Sequence, residues 1–418
     1  MTIRTYHDPL HHAIKIDSSR PEEDMVMQLI DTEPFQRLRR IRQLGPAYLT
    51  FHGAESSRFT HSIGVFHITR KAINNLVQID PSLNQERGIL YASSLLHDLG
   101  HGPLSHSGEG MFGINHEKWS SKIIKGHKQI KNILEKFSNG TSTHVSKILE
   151  LNSNEKSRIK SLISSQLDCD RLDYLLRDSY STGTNYGKLD LERILSALTI
   201  APDGDIAISP KGLMAVEHYL VVRNLMYRGV YNHRLNEVSN WILEKIISIA
   251  RVKGSDNIWT DNVMKNWLWN QNRIDIDTFL ANDDIRTYYH LLRWKEEGPK
   301  SLAILCEMFI NRNLLKALNI KNFSNESKLE ILAITRKICN KKLLDADLYC
   351  GIRNHKHHGY DPYKGGLRLW DGKQLSALES SSPLIKSLIT PEKSSWLIYP
   401  REIHEDLKKE INFFKEKN

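Results

Sequence analysis

Apolar positions along this chain recur chiefly every three to four residues, the spacing of one buried helix face. That period dominates from Asp31 to about Leu332. Asp31-Thr32 offers an N-cap with Pro34 in the first turn, and Gly45-Pro46 is a stop, so a first helix is predicted over 31–45. A second runs from about His61 towards Gln78, ahead of Asp80-Pro81. A third, 85–99, carries Ile89, Leu90, Tyr91, Leu95 and Leu96 nearly all round, the mark of a helix buried in a core. Gly100, Gly102 and Pro103 break it. Further helices are predicted over 130–149, 156–179, 191–198, 213–231 and 236–252.

Alternating strand patterns are sparse. Ile206-Ala207-Ile208 after the turn Pro202-Asp203-Gly204 predicts a short hairpin. Beyond about Lys341 the texture changes, and 349–352, 367–370 and 396–399 read as short strands among Gly, Pro and Ser. The histidines at 355, 357 and 358 fall in a Gly-bounded stretch that reads as a solvated loop. The expected fold is mainly α, with a helical core over 1–340 and a smaller α+β lobe over 341–418, closed by a helix at 402–417. No internal repeat or low-complexity tract interrupts it.

Composition narrows the class. At about 150 residues per domain, 418 residues suit two or three domains, or one large core with an appended lobe. With 40% hydrophobic and 26% charged residues the chain is an ordinary globular protein, not a disordered one. No apolar run approaches the roughly 18 residues of a membrane span. The first residues lack the apolar stretch of a secretory signal. Cys169, Cys306, Cys339 and Cys350 show no CxxC spacing, which argues against a disulfide framework or a thiolate zinc site. The expectation is a cytoplasmic protein without a membrane partner. A net charge of +9, from 58 basic against 49 acidic residues, favours an anionic partner. A nucleotide comes first and nucleic acid second.

The histidines carry the chemistry, seven of them lying between positions 52 and 116. His97-Asp98 closes the buried third helix, with His61 before it and Asp170 after it. Two imidazoles and two carboxylates form a mixed N/O set suited to Mn, Fe, Mg, Ni or Zn. Neighbours on a helix point about 100° apart, so His97 and Asp98 converge on one ion only at a helix end, which Gly100 supplies. Asp170, Tyr174 and Asp178 share one helix face at i, i+4, i+8, beside Arg171. Arg223, Tyr227 and Tyr231 repeat that spacing, with Arg234 beyond. Arginines grip phosphates and tyrosines stack on bases, although such stripes also serve as plain helix contacts.

The blocks run in a telling order: Asp31-Thr-Glu-Pro-Phe-Gln-Arg-Leu-Arg39, Gln43-Leu-Gly45, Arg58-Phe-Thr-His-Ser-Ile-Gly64, His97-Asp-Leu-Gly-His-Gly-Pro-Leu-Ser-His106 and His116-Glu117. Then come Asp168-Cys-Asp-Arg-Leu-Asp-Tyr-Leu-Leu-Arg-Asp178, Arg223-Asn224 and Tyr231-Asn-His-Arg234. In these the sequence resembles the HD-domain superfamily of metal-dependent phosphohydrolases, and more narrowly its deoxynucleoside triphosphate triphosphohydrolases, which include bacterial dGTPases and the human sterile-alpha-motif/HD-domain enzyme. The resemblance covers most of residues 1–250 and thins through Arg312–Lys316 and Asp371-Gly372-Lys373.

That resemblance implies an HD-domain helical core in which His61, His97, Asp98 and Asp170 ligate a divalent metal. It implies that His101, His106 and His116 face the α- and β-phosphates, that His106 acts as the acid at the 5′-oxygen, and that Glu109 orients it. Arg58, Arg171, Arg223 and Arg234 would contact phosphate, and Tyr227 and Tyr231 would complete the ring surface. Gln43, Tyr174 and Asp178 would hold the sugar 3′-hydroxyl, and Leu44 would close on C2′ against ribose. Asp31, Gln36 and Arg39 stand where an activating guanine nucleotide binds at a subunit interface of the human relative. The same three residues equally suit a helix cap and a salt bridge. The implied activity is hydrolysis of a dNTP to deoxynucleoside and triphosphate by a homo-oligomer (dimer, tetramer or hexamer), for nucleotide-pool control or phage defence. Another HD phosphohydrolase, such as a nucleotidase or phosphodiesterase, and a nucleotide- or nucleic-acid-binding protein with a vestigial site remain the alternatives.

Overall fold

In the computed structural model, which describes residues 2–150, 158–362 and 366–417, the helix Arg58–Val77 lies at the centre. The Ser57 side chain caps it by accepting from Thr60 N. Phe59, Ile63, Val65, Phe66, Ile68, Ile73 and Leu76 are buried, so neighbours surround it on most sides. Two of them position the chemistry. Arg87–Leu96 is the all-apolar helix that the sequence predicts, and its Tyr91 meets Phe66 edge-on at 5.2 Å. Cys169–Thr182 packs on the other flank, capped by the Asp168 carboxylate, which accepts from Arg171 N. Gly64 makes that approach close, because a Cβ there would stand 2.1 Å from Asp173 Oδ1.

Several predicted helices are shorter than their hydrophobic period suggests. The 31–45 helix is only Glu33–Arg37 with a 3-10 turn at Leu38–Arg40. Beyond it the backbone turns extended, Arg42 bridges Ser57, and Gly45 adopts φ +53°. The 85–99 helix begins at Arg87 behind the 3-10 turn Pro81–Glu86. The 130–149 helix is two, Lys128–Phe137 and Thr141–Leu149, parted by Gly140 at φ +83°. Residues 156–157 of the predicted 156–179 helix lie outside the described residues. The rest divides into Lys160–Ile163 and Cys169–Thr182. The 213–231 helix is Leu213–Met226 continued by a π-turn, Tyr227–Tyr231.

The strands are minor, and the fold is mainly α. Leu198–Ile200 and Ile206–Ile208 form the predicted hairpin. Arg368–Trp370 joins it in parallel and Leu375–Ala377 completes the sheet. A three-stranded sheet sets Lys316–Asn319 and Gly351–His357 on either side of Glu392–Tyr399. Over it lies a second small core that includes Ile320, Ile331, Cys339, Leu397, Ile403 and Leu407, and so reaches back before residue 341. His355 and Lys356 are in that sheet, paired with Ser394 and Lys393, and not in a solvated loop. An N-terminal hairpin, Ile3–Asp8 with His12–Asp17, was not predicted; its buried Ile14 and Ile16 lean on the helical core. All four cysteines are free and buried. Among the described residues no helix is long and apolar enough to cross a membrane.

Candidate functional site

Three helices bring four donors together. His61 lies one turn into Arg58–Val77, His97 and Asp98 follow the end of Arg87–Leu96, and Asp170 opens Cys169–Thr182. His61 Nε2 stands 3.0 Å from Asp170 Oδ1, 3.3 Å from His97 Nε2 and 3.5 Å from Asp98 Oδ2. His97 Nε2 stands 3.3 Å from Asp98 Oδ1 and 3.6 Å from Asp170 Oδ1. Ligands about 2.0–2.2 Å from one ion lie roughly 3.0–3.5 Å from each other, so His61, His97 and Asp170 could hold a metal ion, and Asp98 stands beside them. The outer nitrogens agree. His61 Nδ1 donates to Asp173 Oδ2 at 2.8 Å, and His97 Nδ1 donates to the Ser94 carbonyl at 2.8 Å. A carbonyl or carboxylate only accepts, so each Nδ1 carries a proton and it is Nε2 of both rings that faces inward.

Electrostatics keep the carboxylates charged. Burial pushes Asp170 upward, but hydrogen bonds from His61 and His97 outweigh it and hold the carboxyl below its usual range. For Asp98, burial is likewise outweighed, here by Arg58, His97 and His101. Arg58 Nη1 donates to Asp98 Oδ2 at 2.5 Å and its Nε to Ser105 Oγ at 2.6 Å.

Beside this centre lies the second histidine group. His101 and His116 stack with centroids 4.0 Å apart, and His106 meets both edge-on. Glu109 ties the group together, with Oε1 2.5 Å from His116 Nδ1 and Oε2 3.1 Å from His106 Nδ1. Burial raises the Glu109 carboxyl, and bonds from His106 and His116 more than reverse it. His101 is held neutral, its proton affinity lowered by burial and by the charges of Arg58 and His116. The His106 side chain is 69% exposed at the mouth of the cleft.

Both groups contribute to one cleft of about 420 Å³, through His97, Asp98, Asp170, His101, His106 and His116, while His61 and Glu109 do not line it. Its wall also holds Gln43, Leu44, Arg58, Arg171, Tyr174, Asp178, Tyr227 and Tyr231. Tyr231 donates to Asp178 Oδ2 at 2.9 Å, while Asp178 Oδ1, Gln43 Oε1 and His101 Nδ1 are buried without a hydrogen-bond partner. Burial raises the Asp178 carboxyl to about 7 against the bond from Tyr231. Unsatisfied buried polar atoms are costly, and several in one cleft point to a polar ligand. Arg171 Nη1 donates to Tyr174 Oη at 3.2 Å and Nε to the Ser165 carbonyl at 2.8 Å.

Five further expected residues stand apart from the wall. Arg223 is buried behind it, donating to Gln166 Oε1 at 2.9 Å, and lies over the Tyr227 ring. Arg234 is exposed at the start of the next helix, Arg234–Lys253. Asp31 pairs with Arg4 at 2.6 Å on the surface. Gln36 donates to the Ile30 carbonyl and accepts from Arg39 Nε, and Arg39 rests on the Phe59 ring at 3.5 Å.

Sequence reasoning passed over Asp173, the residue that orients His61. Its other oxygen meets His11 Nε2 at 2.6 Å, and Arg177 bridges it to Asp8 on the N-terminal hairpin. The signal was present as Asp173 and Arg177 at i, i+4 on the helix of Asp170. Glu117 and Asp168, also missed, line the cleft.

A helical core that gathers His61, His97, Asp98 and Asp170 at the junction of three helices, with a second histidine cluster beside it, is the arrangement of an HD-type phosphohydrolase. Residues 58–178 match the HD domain model, and 189–346 match the HD associated region. The uncharacterized protein YwfO of Bacillus subtilis is 33% identical over 96% of this chain and 93% of its own length. A Dictyostelium discoideum homolog of the deoxynucleoside triphosphate triphosphohydrolase SAMHD1 is 31% identical over 51% of this chain and 44% of its own. The crystal structure of a Bacteroides thetaiotaomicron phosphohydrolase superposes with a TM-score of 0.83 at 27% identity, covering 96% of this chain and all of that one. The chain belongs to the HD-domain phosphohydrolase family.

Proposed function

We propose that this protein hydrolyses dNTPs to deoxynucleoside and inorganic triphosphate. The observation that carries the reading is one cleft that has a metal-ready donor set, a histidine cluster, and two buried, unpartnered oxygens, on Gln43 and Asp178, beside Tyr174 and Leu44. A monophosphatase needs the first of these and has little use for the last. Similarity to SAMHD1 relatives over about half the chain supports the same substrate class.

His61, His97, Asp98 and Asp170 would hold a divalent ion, which would supply Lewis-acid chemistry and activate a water. Arg58 and Arg171 steady the negative oxygens of the phosphates. His101 is neutral and donates or accepts without adding charge. His106, oriented by Glu109, protonates the leaving 5′-oxygen. Gln43 and Asp178 bind the 3′-hydroxyl, and the Leu44 side chain occupies the space beside C2′. Arg223 acts through Tyr227 rather than on phosphate directly, and we assign Arg234 no contact with substrate.

The test is to incubate the protein with each dNTP and Mn²⁺ and to separate the products chromatographically. Triphosphate plus nucleoside is the expected result. Monophosphate or free phosphate would instead mean a nucleotidase or phosphodiesterase, and no product a binding protein.

A further inference from the structure

Two irregular loops in mutual contact contribute to the lining of the cleft. One carries Gln43 and Leu44, the other His101 and His106. The second runs through two successive non-glycine residues in the left-handed region, Leu104 at φ 60° and Ser105 at φ 57°. Side chains with a Cβ hold that conformation only where their surroundings impose it. The loops press on each other, since a Cβ on Gly45 would stand 2.5 Å from the Leu104 carbonyl oxygen.

Asp284, the first residue of the helix Asp284–Glu297, reaches between them and is 3% exposed. Its Oδ1 accepts from Leu104 N at 2.7 Å, and its Oδ2 accepts from Arg42 N at 2.9 Å. Arg42 immediately precedes Gln43, and Leu104 lies two residues before His106. Ser105 adds a second link by donating from Oγ to the Arg42 carbonyl. Next in the chain, Asp283 caps the same helix at Arg286 N and pairs with Arg40, so the carboxylate stands on an anchored helix end. Asp284 does not line the cleft.

We propose that Asp284 is a positioning residue: one carboxylate fixes the spacing between the leaving-group end of the cleft, at His106, and its sugar end, at Gln43. Only a carboxylate offers two acceptors and no donor to two facing backbone N–H groups. An asparagine satisfies one and turns its own N–H₂ towards the other. The role in turnover rests on the dNTP reading; the clamp between the loops does not.

Asp284→Asn keeps the shape and removes one acceptor. We expect kcat for dGTP to fall at least tenfold and the preference for dGTP over GTP in kcat/KM to fall at least fivefold, with bound metal per chain unchanged. Amide exchange should quicken at Arg42 and Leu104 and stay unchanged in the Arg58–Val77 helix. A general loss of stability would lower both substrates alike and leave their ratio alone. A wild-type ratio with wild-type exchange overturns the proposal, as does loss of the metal together with activity. If the Asn variant does not fold, Asp284→Glu, which keeps the charge on a longer arm, must still shift the ratio and the exchange, and failure to do so is equally fatal. If the wild-type protein cleaves no dNTP, the functional reading falls by itself, and exchange at the two amides still decides the clamp.

Discussion

His61 gives Nδ1 to Asp173 and, on the proposed reading, Nε2 to an ion, and this division separates the roles of its neighbours. Changing His97-Asp98 to Ala-Ala removes two of the four proposed ligands, so both bound metal and hydrolysis should be lost while helical circular dichroism persists. His106→Ala touches no ligand; kcat should fall by about 10² or more, the scale of a lost general acid, with metal content unchanged. Metal analysis beside initial rates separates the two, and metal loss in His106→Ala would refute its assignment. Asp178 makes a pH prediction. Burial raises its carboxyl to about 7, against about 3.9 for an unfolded chain. The folded protein therefore binds this proton more tightly, and the stability it contributes is present at low pH and lost as pH rises from about 4 to 7. Asp178→Asn removes that dependence. Its melting temperature should exceed wild type at pH 8, and the advantage should shrink towards pH 5. A difference independent of pH would rule out the buried charge as its cause.

Between residue and fold stands the contact of two helices, Arg58–Val77 and Cys169–Thr182. Their approach lets Asp173 reach His61, and the N-terminal hairpin seals the network from behind through Asp8 and His11. Gly64 permits the approach, with Arg177 Nη2 only 2.4 Å from where its Cβ would be. Gly64→Ala should destabilise the protein by about 1–3 kcal/mol or more, as overpacking does, and weaken metal binding by tilting His61. Calorimetry and metal titration would check this; an unchanged melting temperature would show that the helices can part at little cost. The existence of these helices was legible because their apolar residues recur at 3.6, and their ends were not. The 31–45 segment keeps a helical pattern, yet its backbone leaves the helix at residue 41 to pair with Ser57 and bring Gln43 to the cleft. A tertiary contact outweighed local propensity there.

At the level of the whole chain, substrate choice and assembly meet. A ribose 2′-hydroxyl against Leu44 would lose its hydrogen bonds, a cost of about 1–3 kcal/mol, or roughly 5- to 150-fold. We expect dGTP to be preferred over GTP at least within that range, and equal rates would overturn the sugar-end assignment. Regulation is a separate proposal. Asp31, Gln36 and Arg39 lie within one surface stretch, now engaged with Arg4, Ile30 and Phe59. If a guanine nucleotide binds there, adding it should raise both turnover and oligomer size. Size-exclusion profiles and rates that both ignore nucleotide would remove the regulatory proposal and leave the catalytic one.

The order of histidines and carboxylates, the helical period around them, and the glycines that end the third helix are properties of the chain read in one dimension. They sufficed for a mainly α fold and for candidate metal donors that the structure brings together, because a metal site needs particular atoms and those residue types are few. The structure decided what distance along the chain conceals. His11 meets Asp173 across 162 positions, and Asp284 meets Leu104 across 180. Arg223, a phosphate candidate by resemblance, is buried behind Tyr227, and Arg234 is exposed on the surface. Which carboxylate orients a ligand, and which clamps a loop, depends on how helices pack, and packing is the summed outcome of many weak contacts that no local pattern encodes.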